Sequence, residues 1–199
     1  MAEVIADNER HRIVTTCIIY NSEGHFLVIK RSPTRKVYPN KWTVPGGGFE
    51  PNDYINTPKT TEDAWYFVIE KTLRREVREE TNLEVETPQY LLDCVFIRPD
   101  NVPVLILSYY AKYKSGDVKL EEGDATEFKW ITVNEGRGLG LIPGILEEIE
   151  MVGKILKLKD VLKNYKGDAQ CHVCGVHLDR EKEEGMKYTC GACGSMFGR

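Results

Sequence analysis

The run Arg75-Glu76-Val77-Arg78-Glu79-Glu80 narrows what this chain can fold into more than any other segment. From about Thr61 to Thr81 the apolar spacing is that of a helix. Glu62 and Asp63 suit its positive end, and Asn82 suits the left-handed residue that closes it. Residues three and four apart share a helix face, so Glu76, Glu79 and Glu80 converge. Like charges at that spacing repel by a few tenths of a kcal/mol per pair. A clustered cation would offset this cost, and hard oxygen ligands suit magnesium or manganese. The plainer alternative is a solvated face on which Arg74, Arg75 and Arg78 screen the glutamates.

The rest of the chain supplies a scaffold for such a helix. Residues 11–20 are β-branched and apolar and read as a buried strand, with a turn at residues 21–24 and a returning arm from His25 to Arg31. Trp42 to Val44 reads as a short strand ending in the turn Pro45-Gly46-Gly47-Gly48. Residues 84–98 and 103–113 read as paired strands, and Phe128 to Val133 as another. Residues 143–164 place Ile145, Ile149, Val152 and Leu156 on one side of a closing helix. With 199 residues, 41% of them hydrophobic and 29% charged, the chain is long and apolar enough for one globular domain plus a small module.

Together the glycine turn and the acidic helix resemble the Nudix box, G-x5-E-x7-R-E-U-x-E-E-x-G-U, in which U is bulky and apolar. Gly47 takes the first glycine, Arg75 and Glu76 the R-E, Val77 the U, Glu79 and Glu80 the E-E, and Leu83 the final apolar place. Downstream, Glu127-Phe128-Lys129-Trp130 is similar to the E-x-x-W strand of many members. Three departures stand out. Asp53 replaces the box's first glutamate, Asn82 replaces its later glycine, and 21 residues rather than seven separate Asp53 from Arg75. The extra residues, at about 54–67, bring in Trp65, Tyr66 and Phe67.

The resemblance implies an α/β fold, an αβα sandwich with a mixed sheet, over residues 1–165. It also implies a hydrolase that splits a nucleoside diphosphate linked to another moiety, with magnesium or manganese held by Glu76, Glu79 and Glu80. Arg75 would brace the helix through Asp53 or Glu50. Gly46, Gly47, Gly48, Phe49, Lys30 and Arg31 would meet the substrate. Glu121, Glu122 and Asp124, before the E-x-x-W strand, are offered as a further base. The rival reading is a non-catalytic nucleotide sensor or regulator of the same fold that uses a C-terminal zinc ribbon to bind nucleic acid.

Cys171-x-x-Cys174 and Cys190-x-x-Cys193 are fifteen residues apart, and a glycine follows the second cysteine of each pair. This pattern predicts a structural four-cysteine zinc ribbon over residues 168–199, whose folding energy comes largely from the metal. Cys17 and Cys94, in predicted strands, are expected to be buried and inert. The segment 179–187 lacks a basic stripe with aromatics, so a structural role for the ribbon is favoured over nucleic-acid binding. A net charge of −4 gives no global attraction to nucleic acid or anionic membranes. The polar N-terminus and the lack of a long apolar run lead us to expect a cytoplasmic protein without a membrane anchor. A nucleotide-like small molecule is the expected substrate, and a homodimer is left open.

Overall fold

The computed structural model describes residues 11–98, 101–164, 179–180, 187–189 and 196–198. The chain divides into two compact units, residues 1–152 and 153–199. In chain order the first unit contains β1 (Arg12–Tyr20), β2 (Phe26–Arg31), β3 (Trp42–Thr43), β4 (Gly46–Gly48), a 3-10 turn at Pro51–Asp53, α1 (Val68–Thr81), β5 (Glu84–Val85), β6 (Gln89–Ile97), β7 (Pro103–Ser115), β8 (Ala125–Ile131), the short α2 (Val133–Arg137), and the start of α3 (Ile145–Asn164).

Most of the sheet's order follows from β1. It runs parallel to β7, in step from Arg12 opposite Val104 to Tyr20 opposite Lys112. It pairs antiparallel with β2 and with β4, so the sheet is mixed. The path through it is β3-β2-β1-β7-β5, with β4 joined to β1, β6 to β7 and β8 to β2. Alternation along β1 sends Cys17 and Ile19 to one side, where they meet Leu27, Leu73, Val77, Leu83, Val85 and Ala111 in a buried cluster. Leu73 and Val77 are one helical turn apart, so this is the face by which α1 is held. Each such side chain contributes roughly 1.5–3 kcal/mol when fully buried. On the opposite side, Ser108 of β7 donates a hydrogen bond to the buried Glu148 of α3, where Ile145, Ile149 and Val152 are buried too.

Several sequence expectations need correction. The helix begins at Val68 rather than Thr61. Residues 60–66 instead close on themselves, Thr60 N and Thr61 N donating to Ala64 O and Tyr66 N to Thr60 Oγ1. Phe67 then takes a left-handed φ of 59° that a helix cannot continue. Glu70, not Glu62 or Asp63, is therefore the acid of the first turn. The strand expected over 84–98 is two strands, with Pro88, which has no N–H to pair, between them. The strand expected over 128–133 is β8, and it ends before Thr132 because that side chain caps α2 in a reciprocal box with Glu135. Cys17 is buried as expected, whereas Cys94 is exposed on β6, which pairs with β7.

The second unit, residues 153–199, carries the remainder of α3 and a three-stranded antiparallel sheet. Its strands are β9 (Asp179–Arg180), β10 (Lys187–Thr189) and β11 (Met196–Gly198), in the order β11-β10-β9. Cys171, Cys174, Cys190 and Cys193 lie outside the described residues. Among the described residues no helix is long and apolar enough to cross a membrane.

Asn82 closes α1 at φ 59°, its N–H returning to Arg78 O at 2.8 Å and its Nδ2 donating to Asp117 O at 3.1 Å. A β-branched residue fits that conformation badly. Asn82→Val should cost about 1–2 kcal/mol, a loss of a few degrees in thermal melting. Asn82→Gly, which accepts the backbone conformation, should lose less.

Candidate active site

Three adjacent glycines form β4, an element the sequence suggested only as a turn. β1 holds it, with Val14, Thr15 and Thr16 opposite Gly48, Gly47 and Gly46. Side chains are excluded there for two different reasons. A Cβ on Gly46 would lie 2.2 Å from Thr15 O, so the missing side chain is space taken by the neighbouring strand. A Cβ on Gly47 would lie 2.3 Å from the Glu76 carboxyl carbon, so there the space is taken by a side chain of α1. Glycine thus lets the acidic helix press its carboxylate onto bare backbone.

The second contact is a hydrogen bond. Gly46 N donates to Glu80 Oε2 at 2.8 Å, and Glu80 is only 7% exposed. Burial pushes the Glu80 carboxyl up to about 8. Glu76 and Asp124 add to the rise, while the Gly46 N–H and Arg31 oppose it. Glu76 is raised as well, chiefly by burial and further by Glu79 and Asp53, against the pull of Arg75. Two carboxyls at the glycine strand are therefore short of positive charge.

Arg75 organises the other side. Its Nε and Nη2 reach the Asp53 oxygens at 2.6 and 3.2 Å, Nη2 also donates to Gly48 O at 3.1 Å, and Nη1 meets Glu79 at 2.7 Å and Glu76 at 2.9 Å. Of the two loop acids considered for this brace, Asp53 takes it. Glu50 supports Asp53 from the main chain, its N–H donating to Asp53 Oδ2 at 2.9 Å and its carbonyl accepting from Asp53 N at 3.0 Å. Thr72 Oγ1 donates to the same oxygen. Burial alone would raise Asp53, but Arg75, the Glu50 N–H and Thr72 together hold it below the usual carboxylate range. The shorter side chain of Asp53 still reaches Arg75 because the 3-10 turn lies against α1.

The remaining expected residues divide. Arg31 lies near Glu80 and Asp124, whose charges oppose the effect of its burial. Lys30, the preceding strand residue, projects the other way. It pairs with Glu127 at 2.6 Å and sits 5.9 Å from the Trp42 ring. Glu79 has a half-exposed side chain engaged by Arg75. Phe49 stacks on Tyr54 at 5.5 Å, and Tyr54 meets Trp65 edge-on at 5.3 Å, so part of the inserted segment forms a half-buried aromatic stack beside β4. Tyr66 and Phe67 stay exposed. Of the three loop acids, Glu121 and Glu122 are exposed, while Asp124 is partly buried and acts electrostatically on Glu80. Sequence reasoning missed Arg35, whose Nη1 pairs with Asp124 Oδ1 at 2.8 Å. A loop residue with no periodicity carries no signal for such a contact.

Among the described residues no three Asp, Glu, His or Cys side chains already surround a common point. The donor chemistry nevertheless fits a divalent ion. Glu76 and Glu80 are hard oxygen donors crowded against glycine backbone, and burial raises both carboxyls. The sign of the resulting pH effect is fixed. A carboxyl raised from 4.5 to about 8 on folding binds more protons in the folded state, so stability falls as pH rises through that window. Metal-free protein should therefore lose melting temperature between about pH 5 and pH 8. Glu80→Gln, which can still accept from Gly46, should flatten that slope, and magnesium should reverse it in the parent chain alone.

Comparison with known proteins agrees with this architecture. A "Nucleoside triphosphatase NudI" of Klebsiella pneumoniae (strain 342) is 38% identical over 64 residues, 32% of this chain and 36% of the relative. The chain thus spans about a third of that relative's length. Another protein of that name, from Escherichia coli O81 (strain ED1a), is 26% identical over 125 residues, covering 58% of this chain and 78% of the relative. The crystal structure of a MutT protein from Methanosarcina mazei Go1 superposes with a TM-score of 0.58 at 23% identity, covering 74% of this chain and 96% of that one, a likeness of fold. The NUDIX domain matches residues 10–144, from the start of β1 to the threshold of α3, and the chain belongs to that family.

Proposed function

We propose that the chain is a magnesium- or manganese-dependent pyrophosphohydrolase, cleaving a nucleoside diphosphate linked to another moiety. The observation that carries this is the convergence of Glu76 and Glu80 on the β4 backbone, Glu80 through a 2.8 Å hydrogen bond from Gly46. The name nucleoside triphosphatase, borne by the matched relatives, describes chemistry of the same kind.

Glu76, Glu80 and, on leaving Arg75, Glu79 are the residues that would hold the ion. The ion supplies positive charge that neutralises phosphate oxygens and makes an attacking water more acidic. Arg75 keeps the helix and β4 in register through Asp53 and Gly48 O. The space beside Gly47 is taken by the Glu76 carboxyl and that beside Gly48 by the Arg12 guanidinium, which would stand next to a phosphate reaching this strand. Water adds to one phosphorus, the bridging P–O bond breaks, and the departing phosphate keeps the electron pair. The proton lost by water passes to a nearby carboxylate, with Glu79, half exposed and already near Glu76 through Arg75, the acceptor in our reading.

For residues 168–199 we propose a structural zinc ribbon on Cys171, Cys174, Cys190 and Cys193. Its support is the pair of C-x-x-C motifs, together with the strands around the second: Cys190 follows Thr189 of β10, and Met196 of β11 begins three residues after Cys193. We read the protein as cytoplasmic, acting on a nucleotide-like small molecule.

Two measurements test these readings. A panel of nucleoside di- and triphosphate derivatives with magnesium should show release of phosphate, pyrophosphate or monophosphate. Glu79→Gln and Glu76→Gln should lower turnover by at least about 100-fold while melting stays cooperative. Unchanged turnover in both variants would remove the metal assignment. For the ribbon, elemental analysis should find one zinc per chain, and replacing Cys171 and Cys174 with Ser should abolish it.

A further inference from the structure

Thr15 of β1 is fully buried, and among the described residues its Oγ1 has no hydrogen-bond partner. Buried polar side chains are nearly always paired, because an idle one loses its water and gains nothing in return. Its place in the sheet shows which group it faces. Thr16, the next residue, looks the other way and shares a hydrogen bond with Ser108 Oγ at 2.9 Å. Thr15 therefore lies on the α1 side of the sheet with Cys17 and Ile19.

Across the strand pair Thr15 stands opposite Gly47. The rungs on either side are closed by Cys17 N to Pro45 O at 2.8 Å and Phe49 N to Ile13 O at 3.0 Å. Opposite residues of an antiparallel pair carry their Cβ atoms on one face, about 5 Å apart. Where a Cβ of residue 47 would stand there is the Glu76 carboxylate instead, its carbon and both oxygens within 2.5 Å of that point. Glu76 thus occupies the place of the cross-strand neighbour of Thr15.

Elimination leads to the same group. Leu107 lies beside Thr15 on β7, Ile13 and Cys17 share its face of β1, and α1 brings Leu73 and Val77 to this layer. None of these side chains carries an oxygen. Asp53 already accepts from Arg75, Thr72 and the Glu50 N–H. Glu76 is met among the described residues by Arg75 Nη1 alone, at 2.9 Å, and that nitrogen is shared with Glu79.

We propose that Thr15 is a positioning residue, its hydroxyl turning to donate to the Glu76 carboxylate when that carboxylate leaves Arg75 to hold the divalent ion. The move is a change between staggered χ1 wells. An O–H fixes a carboxylate without offsetting its charge, whereas a guanidinium offsets it. The proposal rests on the hydrolase reading above and adds a residue on the strand beneath the site, outside the acidic helix and the glycine strand.

The full-length protein tests this by metal binding, melting and turnover. Thr15→Val removes the hydroxyl at nearly constant shape, and Thr15→Ser keeps it. In a manganese titration followed by electron paramagnetic resonance, Thr15→Val should bind about tenfold more weakly and Thr15→Ser within about threefold of the parent. Without manganese or magnesium, Thr15→Val should melt no lower than the parent, because the hydroxyl has no bond to lose there. On a nucleoside triphosphate with saturating magnesium, Thr15→Val should lower kcat about tenfold and leave KM within about twofold. Parent-like manganese affinity in Thr15→Val, an equal loss in Thr15→Ser, or a lower melting temperature for metal-free Thr15→Val would each overturn the proposal. A parent chain that binds no manganese would overturn it as well. If the parent binds manganese but hydrolyses nothing, the hydrolase reading fails, and the binding comparison still decides the role of Thr15.

Discussion

The bond from the Gly46 N–H to the buried Glu80 carboxylate ties the sheet to the acidic helix. A carboxyl this deeply buried is costly unless something answers it, and among the described residues the Gly46 N–H and the nearby Arg31 do so. The position of that N–H depends in turn on β1, which pairs with all three glycines of β4, and β1 is fixed by nine residues in register with β7. The apolar cluster around Leu73 and Val77 sets the height of the helix on the sheet. The site is therefore a product of the core. A shift of α1 by one residue would take Glu76 off Gly47 and Glu80 off Gly46 together.

This dependence explains what could be read in advance. The helical spacing of Glu76, Glu79 and Glu80 and the need for glycine at close approach are local rules, legible in the letters. So were the β1–β2 hairpin and the left-handed Asn82. Which of the three glutamates turns toward the glycines is a matter of helix rotation on the sheet, set by long-range packing of Leu73 and Val77. The sequence therefore offered all three equally, whereas the structure turns Glu76 and Glu80 to the backbone and leaves Glu79 with Arg75. Lys30 and Arg31 looked interchangeable for the same reason. Adjacent strand residues face opposite sides, and only the assembled sheet says which side holds the acids.

The helix start was misread because the inserted residues imitate a helix without forming one. Thr61, Glu62 and Asp63 have the composition of a first turn, but Thr60 and Thr61 spend their N–H groups on Ala64 O. Trp65 turns back, its Nε1 donating to Thr57 O and its ring meeting Tyr54. Tyr54 and Trp65 of the insertion therefore continue an aromatic stack from Phe49, while Tyr66 and Phe67 stay exposed and α1 starts only at Val68. Asp53 illustrates the same economy. Held on the 3-10 turn against α1, it reaches Arg75 and Thr72 across an insertion that separates them widely in the chain.

Charge is distributed unevenly across the site, and the unevenness has a direction. Around α1 the acids Glu76, Glu79 and Asp53 share one guanidinium, Arg75. Around the loop after β2, Arg35 pairs with Asp124, and Arg31 lies near both Glu80 and Asp124. Glu80 lies between, protonation favoured at neutral pH in the absence of a cation. The surplus is therefore of carboxylate, gathered where α1 meets β4, and hard oxygen donors in excess of their cations are what a divalent ion would satisfy.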